Sequence, residues 1–204
     1  MVFRIINILF LLFSFNIHAQ QYIGKHGIIS FFSEAPLENI SAKFNKIGSK
    51  PKLVNIDIIS LITDIIDYYK LKLPKSKNIS IDFKIKYDKK IQFNGDRILL
   101  YWAFENIVKN SIDSIKTNPG HINIELNVVN DKIKILFKDN GYGISRANRR
   151  NIFKPGFSTK SKGWGIGLNL SKRIIEHIHK GSLKLIKSNN EETVFKIILN
   201  LSIS

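Results

Sequence analysis

Two asparagines four residues apart lie in a mostly apolar segment, FENIVKNSIDS, residues 104–114. If this segment is helical, Asn106 and Asn110 share one face, one turn above the other. Burying two amides without partners would cost roughly 1–3 kcal/mol each, so the pair needs water or a ligand. Mg²⁺ takes oxygen ligands and keeps several waters when it bridges phosphates. The spacing therefore indicates either a magnesium-phosphate site or a helix whose polar residues face solvent.

A glycine-containing segment, KDNGYGIS at residues 138–145, directly follows a predicted strand. Asp139 at the strand end could accept a hydrogen bond from an exocyclic amine, the group that distinguishes adenine from guanine. Gly141 and Gly143 would let the backbone approach a flat base closely. Because Asn-Gly is also the strongest turn dipeptide, an ordinary turn remains the alternative.

A third segment, NIFKPGFSTK at residues 151–160, contains two phenylalanines, a Pro-Gly break and a terminal lysine. Phe153 and Phe157 could anchor a mobile lid, and Lys160 could reach a terminal phosphate as a point charge. The alternative is an ordinary loop with two buried aromatic side chains.

A second glycine-rich segment, KGWGIGLNLSKRII at residues 162–175, brings Gly163, Gly165 and Gly167 to the start of a predicted helix. Unpaired N–H groups and the helix dipole favour phosphate at such a position. Such a loop is weak evidence by itself. It follows no strand of a βαβ unit, so a dinucleotide-binding fold is not supported.

The surrounding pattern alternates helices and strands. Apolar periodicity predicts an amphipathic helix over residues 55–70, a long helix over 96–115 and a third helix over 165–179. Strands are predicted at residues 79–85, 90–93, 121–129, 132–138, 182–188 and 193–201. These elements pack best as a two-layer α/β fold.

The order of the four motifs is more specific than any one of them. An asparagine helix, DxGxG, a phenylalanine segment and GxGxG resemble the N, G1, F and G2 boxes of the histidine kinase branch of the ATPase superfamily that includes gyrase, Hsp90 and MutL. The resemblance extends from about residue 50 to the C-terminus. It implies an α/β sandwich, with a mixed sheet covered by helices on one face, and ATP bound between the asparagine helix and a flexible lid.

The resemblance also implies roles for the matching residues. Asn110 would hold Mg²⁺, Asn106 would position phosphates or water, and Asp139 would bind the adenine amine. The remaining nucleotide-binding and lid positions are Gly141, Gly143, Lys160, Gly163, Gly165, Gly167, Leu168 and Thr193. Glu105 matches less well as a catalytic residue, because gyrase-like members place a general base four residues before the magnesium asparagine, where this chain has Asn106.

The γ-phosphoryl group of ATP would pass to an imidazole on a dimerization domain, which this sequence lacks. None of its five histidines lies in the His-Glu/Asp-Pro-like context of a phosphoacceptor. We therefore expect a histidine-containing dimerization domain or a response regulator to act as partner in trans. The alternative is a nucleotide-binding regulatory module, or a decayed fragment, without kinase activity.

The N-terminus points to a different compartment. In residues 1–20, Arg4 precedes an apolar run over 5–15, which is typical of a signal peptide and shorter than the roughly 20 apolar residues of a membrane span. A short membrane anchor and a buried helix are the alternatives. Residues 21–49 are interpreted as a linker or a truncated secreted fragment, since GIISFFSEAPLENISAKFNK resembles the start of YceI-like lipid-binding barrels. ATP chemistry implies the cytoplasm or its membrane face, and the leader conflicts with this.

The formal net charge of +16 fits nucleic acid, an acidic membrane surface or a phosphorylated ligand. Lysines that often alternate with isoleucine would also follow from an A/T-rich genome. The clustered nucleotide motifs argue against a nucleic-acid partner. The sequence has no cysteine, which excludes disulfides, thiolate zinc sites and thiol nucleophiles, and its 44% hydrophobic content indicates a globular protein.

Overall fold

The computed structural model describes residues 50–74, 77–87, 91–116, 119–160 and 165–201. The predicted leader or anchor and the YceI-like segment lie outside these residues and stay predictions. Pro51–Ser204 form one compact unit. Within the described ranges, no helix is long and apolar enough to cross a membrane.

Three helices form one layer of this unit. Each of the two long helices begins after an aspartate, Asp57 or Asp96, whose carboxylate accepts hydrogen bonds from two N–H groups of the first turn. The third helix changes to π-helical geometry in its last turns. The helices are α1 (Ile58–Lys72), α2 (Arg97–Ser114) and α3 (Gly167–Arg173), the last continued by the π-helical segment Ile174–Ile178.

The strands form one large and one small sheet. They are β1 (Val54–Asp57), β2 (Ile79–Ile85), β3 (Gln92–Gly95), β4 (Gly120–Val129), β5 (Lys132–Asp139), β6 (Ser182–Ser188) and β7 (Thr193–Asn200). The five-stranded sheet has the order β2-β4-β5-β7-β6; β2 and β4 are parallel and the other neighbours are antiparallel. Strands β1 and β3 form a separate antiparallel pair.

The core lies between the large sheet and the helices. Alternate residues of β4, β5 and β7 are buried, while most of their neighbours on the other face are half-buried or exposed. From α2, Phe104 packs on Phe137 of β5 with ring centroids 5.8 Å apart. This arrangement confirms the predicted two-layer α/β sandwich with a mixed sheet and helices on one face.

The structure differs from the sequence prediction mainly around the small sheet. The first helix begins at Ile58 rather than at residue 55, because Val54–Asp57 pair with β3. Helical spacing of the apolar residues conceals this strand, which depends on a partner far along the chain. Strand β3 itself lies at Gln92–Gly95, two residues later than predicted.

Candidate functional site

A buried carboxylate stands at the centre of the site. Asp139 ends β5 and is 4% exposed. Ser111 donates to Oδ2 at 2.8 Å, and the N–H of Gly141 donates to Oδ1 at 3.0 Å. The Ser114 hydroxyl shares its one proton between Oδ1, at 3.1 Å, and the Ser111 carbonyl, at 2.8 Å. Burial raises the pKa of Asp139, and these three hydrogen bonds oppose the rise. Since a carboxylate has about four acceptor positions, Oδ2 can accept one further donor.

The two serines are functional residues that sequence reasoning missed. They lie on the last turn of α2, one and four residues after Asn110, so a single helix reaches both the carboxylate and the asparagine pair. The sequence feature that could have revealed them is the spacing within NSIDS, where Ser111 and Ser114 share a helix face.

The loop after Asp139 requires glycine at two positions. A Cβ atom on Gly141 would lie 1.9 Å from Ser114 Oγ. Gly143 has a φ of +76°, and a Cβ atom there would lie 2.1 Å from the backbone oxygen of Asn189. The loop therefore lies closer to α2 and to the β6–β7 hairpin than any side chain at these positions would allow.

Thr193 stands directly opposite Asp139 in the β5–β7 register. Its hydroxyl lies 3.1 Å from Ser188 Oγ, and Ser188 Oγ accepts a hydrogen bond from the N–H of Ile144 at 2.7 Å. Arg149 also donates to the Ile144 carbonyl, at 3.1 Å. Thr193 thus supports the loop after Asp139 through Ser188.

The asparagine face of α2 meets the segments that follow β5. Asn106 Nδ2 donates to the Gly167 carbonyl at 3.4 Å. Lys160 Nζ donates to Asn110 Oδ1 at 3.0 Å and to Asp113 Oδ2 at 2.8 Å. Asn106, Asn110 and Asp113 of α2 therefore face these segments. The side-chain oxygens of Asn110 and Asp113 already accept hydrogen bonds from the Lys160 ammonium group.

The glycines before α3 contact the phenylalanine segment. Gly165 has a φ of +66°, and a Cβ atom there would lie 2.3 Å from the carbonyl carbon of Gly156. The N–H of Gly156 donates to the Gly165 carbonyl at 3.0 Å. Gly167 is the first residue of α3 and Leu168, which follows it, is half-buried. Gly163 lies outside the described residues.

Phe153 holds this segment against the rest of the unit. Its ring meets that of Phe195 on β7 edge-on, with centroids 6.3 Å apart, and Lys172 Nζ lies 4.8 Å from the Phe153 centroid. Asn169 of α3 donates to the Phe153 carbonyl at 2.8 Å. Phe153 and Phe157 are both half-buried rather than buried.

The Glu105 side chain faces α1 and not the segments that meet the asparagine pair. Its carboxylate accepts a 2.5 Å hydrogen bond from the hydroxyl of Tyr69 on α1. Burial, together with the Glu105 charge, raises the pKa of Tyr69 above its ordinary range and that of Tyr101 to about 12. Tyr69 is therefore a neutral hydrogen-bond donor between α1 and α2.

The side-chain oxygens of Asn110 and Asp113, which accept hydrogen bonds from Lys160, are suitable ligands for a divalent cation. The described residues include no cluster of three or more acidic or histidine side chains that could form a closed metal site. Mg²⁺ bound to phosphates needs only one or two protein oxygens, because waters and phosphates supply the rest. Asn110 Oδ1 offers such an oxygen, with the Asp113 carboxylate beside it.

The two ends of the site are connected by α2. From Asn106 to Ser114 the helix rises roughly 12 Å. One end has a buried carboxylate with an open acceptor position; the other has amides, a lysine and a glycine loop. Such a site suits an elongated ligand with an amine at one end and anionic oxygens at the other.

The sequence of residues 95–203 matches the family described as "Histidine kinase-, DNA gyrase B-, and HSP90-like ATPase". The chain belongs to this ATPase family. The match runs from the last residue of β3 through β7 and includes every predicted site residue.

The curated relatives of this ATPase-family chain are named as kinases or sensor proteins. It is 34% identical over 124 residues to "Sporulation kinase C" of Bacillus subtilis (strain 168), covering 61% of this chain and 28% of the kinase. It is 30% identical over 152 residues to "Putative sensor histidine kinase NtrY-like" of Rickettsia bellii (strain RML369-C), covering 74% of this chain and 24% of that protein. The chain thus spans about a quarter of the length of these curated relatives.

Solved structures share the fold of the ATPase-family domain. The catalytic domain of histidine kinase ThkA superposes with a TM-score of 0.65 at 24% identity, over 73% of this chain and 95% of that domain. ThkA in complex with the response regulator protein TrrA gives a TM-score of 0.68 at 18% identity, over 98% of this chain and 60% of the ThkA chain. The predicted catalytic ATP-binding domain of a two-component histidine kinase is confirmed by the family and its relatives.

Proposed function

We propose that this ATPase-family domain binds Mg²⁺-ATP and transfers the γ-phosphoryl group to a histidine on a separate dimerization domain. The observation that carries the proposal is the Asp139 carboxylate, which is fixed by three donors and keeps one acceptor position open. The helix that supplies two of those donors also presents the asparagine pair.

At the adenine end, Asp139 would accept from the exocyclic amine of the base. Gly141 and Gly143 would hold the loop beside the flat ring, since without a Cβ atom they pack directly against Ser114 and the Asn189 carbonyl. Thr193 would act indirectly, because its hydroxyl supports the loop through Ser188. A guanine presents a carbonyl where adenine has its amine, so this end would select ATP over GTP.

At the phosphate end, Asn110 would hold Mg²⁺ and Asn106 would position phosphates or water. When bound, Mg²⁺ supplies neutralisation of the phosphate charge. Lys160 would leave Asp113 and place its ammonium on the terminal phosphate, a change its long side chain allows. Gly163, Gly165, Gly167 and Leu168 would cover the phosphates from the start of α3.

Glu105 would have a positioning role instead of acting as a general base. Its carboxylate joins α2 to α1 through Tyr69, on a different side of α2 from the asparagines. Without a glutamate on the asparagine face, we expect positioning for phosphoryl transfer and little hydrolysis by water.

The acceptor imidazole would come from another chain. Among the described histidines, His179 is buried and bonded through both ring nitrogens, and His121 is bonded to Ser80. His177 is exposed near the end of the π-helical segment. A dimerization domain would supply the histidine, and a response regulator would be the further partner, as the ThkA complex suggests by analogy.

The proposal is tested in two steps. Calorimetry of the protein with Mg²⁺ and a non-hydrolysable ATP analogue should give micromolar binding that Asn110→Ala weakens about tenfold or more, consistent with the loss of one charge-assisted contact. Radiolabelled ATP and an isolated dimerization domain of a similar sensor kinase should then yield an acid-labile phosphohistidine on that domain. Nucleotide binding without transfer to any acceptor would favour the regulatory-module alternative, and no binding by a folded protein would indicate a decayed fragment.

A further inference from the structure

The large sheet has a second face, opposite the helices, that carries a high density of positive charge. We call it the outer sheet face; it consists of the residues of β2, β4, β5, β6 and β7 that alternate with the buried ones, together with Lys86 after β2. Eight lysines and two acidic residues, Asp82 and Glu125, lie on it. The lysines are Lys84, Lys86, Lys132, Lys134, Lys138, Lys184, Lys187 and Lys196.

The strand register spreads these charges over the whole face. One row crosses all five strands as Lys84, Glu125, Leu136, Lys196 and Lys184. With strands about 4.8 Å apart, the row is roughly 19 Å long. The lysines therefore form a broad cationic surface.

A second row is polar and contains one lysine. Asn127, Lys134, Ile198 and Ser182 follow one another across β4, β5, β7 and β6. In both rows a half-buried aliphatic residue, Leu136 or Ile198, separates the polar positions. The face thus combines lysines with other polar residues and single aliphatic side chains.

Ion pairs within the protein neutralise only part of this charge. Glu125 accepts from Lys86 at 3.0 Å and from Lys138 at 2.5 Å, and Lys187 pairs with Glu192 at 2.9 Å. The two lysine hydrogen bonds hold the pKa of Glu125 near 2, so this carboxylate stays ionised.

The lysines outside these pairs leave the face with a net positive charge. Within the described part of the chain, five of them make no ion pair: Lys84, Lys132, Lys134, Lys184 and Lys196. A surface of this sign attracts anionic oxygens.

The kind of side chain indicates which anionic partner fits. The outward residues of the five strands, all within the described part of the chain, include no arginine and no phenylalanine, tyrosine or tryptophan. Single-stranded nucleic acid is bound largely by aromatic stacking, and base edges are read by arginine forks or by elements that enter a groove. A broad sheet face with lysines suits a surface whose charges are many and laterally mobile.

We propose that the outer sheet face binds membrane surfaces rich in anionic phospholipids. The nucleotide site lies on the helical side of the sheet, where Asp139 points toward α2. Membrane binding therefore leaves the nucleotide site open, and this inference is independent of the proposed phosphoryl transfer.

Vesicle sedimentation tests the proposal with matched charge variants. The sheet variant carries Lys84→Gln, Lys134→Gln, Lys184→Gln and Lys196→Gln. The control variant removes the same charge from exposed lysines outside the sheet, by Lys70→Gln, Lys72→Gln, Lys77→Gln and Lys109→Gln. The full chain and residues 51–204 are titrated with phosphatidylcholine vesicles that contain either no phosphatidylglycerol or roughly one-third of it, so that the surface potential is the variable.

We expect both proteins to bind the anionic vesicles more tightly than the neutral ones, and the excess to fall as salt is raised. Each lysine near an anionic surface contributes about fivefold in partitioning, so the sheet variant should lose about 100-fold or more of that excess. The control variant should lose about tenfold or less, because its lysines lie off the binding face.

Three results would overturn the proposal. One is equal binding of the full chain to anionic and neutral vesicles. Another is an equal loss in the sheet and control variants, which would mean that only net charge matters. The third is tighter, sheet-dependent binding to duplex DNA than to vesicles, which would assign the face to nucleic acid. Matched urea unfolding midpoints of the two variants would show that folding is not the cause.

Discussion

At the scale of single residues, the chemistry of the site depends on how completely Asp139 is constrained. Burial disfavours its charge, whereas Ser111, Ser114 and the Gly141 N–H stabilise the charge and fix the carboxylate plane. An amine donor that reaches Oδ2 would complete the set of acceptor positions. The adenine recognition that we propose would thus require no movement of this side chain.

Asp139→Asn should reduce affinity for ATP by about 10- to 100-fold, because hydrogen bonds to a charged group contribute about 1.5–3 kcal/mol. The new side-chain amide would also place its NH₂ group against Ser111 or the Gly141 N–H, which now donate to a carboxylate oxygen. Calorimetry at fixed Mg²⁺ measures the change. Asp131→Asn, in the exposed β4–β5 turn, is the matched control and should bind as the unsubstituted protein does. Equal affinity in a folded Asp139→Asn protein would contradict the adenine assignment.

Gly143 and Gly156 have nearly the same positive φ. Alanine substitutions at the two positions therefore separate the cost of the backbone conformation from the cost of a steric clash. At Gly156 (φ +75°) nothing lies within 4 Å of the position that a Cβ atom would take, whereas at Gly143 the Asn189 carbonyl oxygen lies 2.1 Å from it. Gly156→Ala should therefore cost about 1–2 kcal/mol, from conformation alone. Gly143→Ala should cost about 3 kcal/mol or more and weaken ATP binding as well. Urea denaturation compares the two, and similar losses would refute close approach at Gly143.

At the scale of elements, a buried histidine joins the end of the third helix to the start of α2. The N–H of Asp96 donates to His179 Nε2 at 3.0 Å, so this nitrogen must be an unprotonated acceptor. Nδ1 lies 2.8 Å from the Ile174 carbonyl and must then carry the proton that it donates. Burial lowers the pKa of His179, although the nearby Asp96 charge opposes this. The folded protein therefore holds His179 neutral.

The buried, neutral His179 should make the free energy of unfolding depend on pH. Because the pKa of folded His179 lies below the ordinary 6.5, the unfolded chain takes up a proton first as the pH falls. The free energy of unfolding should then decrease below about pH 6.5, by up to about 1.4 kcal/mol per pH unit from this group. Urea titrations from about one pH unit above that value to one below it would measure the slope.

The matched control for this pH dependence is the exposed His177. His179→Gln should flatten the stability slope over the same pH range, whereas His177→Gln should leave it unchanged. A slope that survives His179→Gln would assign the pH dependence to other groups.

At the scale of the whole molecule, residues 51–204 contain the sheet, the helices and the complete described site. We expect this unit alone to unfold in one cooperative transition and to bind Mg²⁺-ATP within about twofold of the full chain, as an autonomous domain does. Calorimetry on both proteins measures this. A fragment that is unfolded, or that binds far more weakly, would show that residues 1–50 contribute to the fold or the site.

Elements with strong periodicity, and residues that act within one element, could be predicted from the amino-acid sequence. Strand β2 and the long helix α2 occur where alternation and helical spacing predicted them, and Asn106 and Asn110 share a helix face because their spacing is local. The order of the motifs also indicated the family, since four short motifs in a fixed order are more specific than any one of them alone.

Contacts between groups far apart in the chain became visible in the folded protein alone. The pairing of β1 with β3, the serines beside Asp139 and the contact of Lys160 with Asp113 join residues at least 25 positions apart. The cationic outer face likewise arises from strand register, which aligns lysines that are scattered along the chain. Such contacts depend on the packing of whole elements, whose geometry no local spacing encodes.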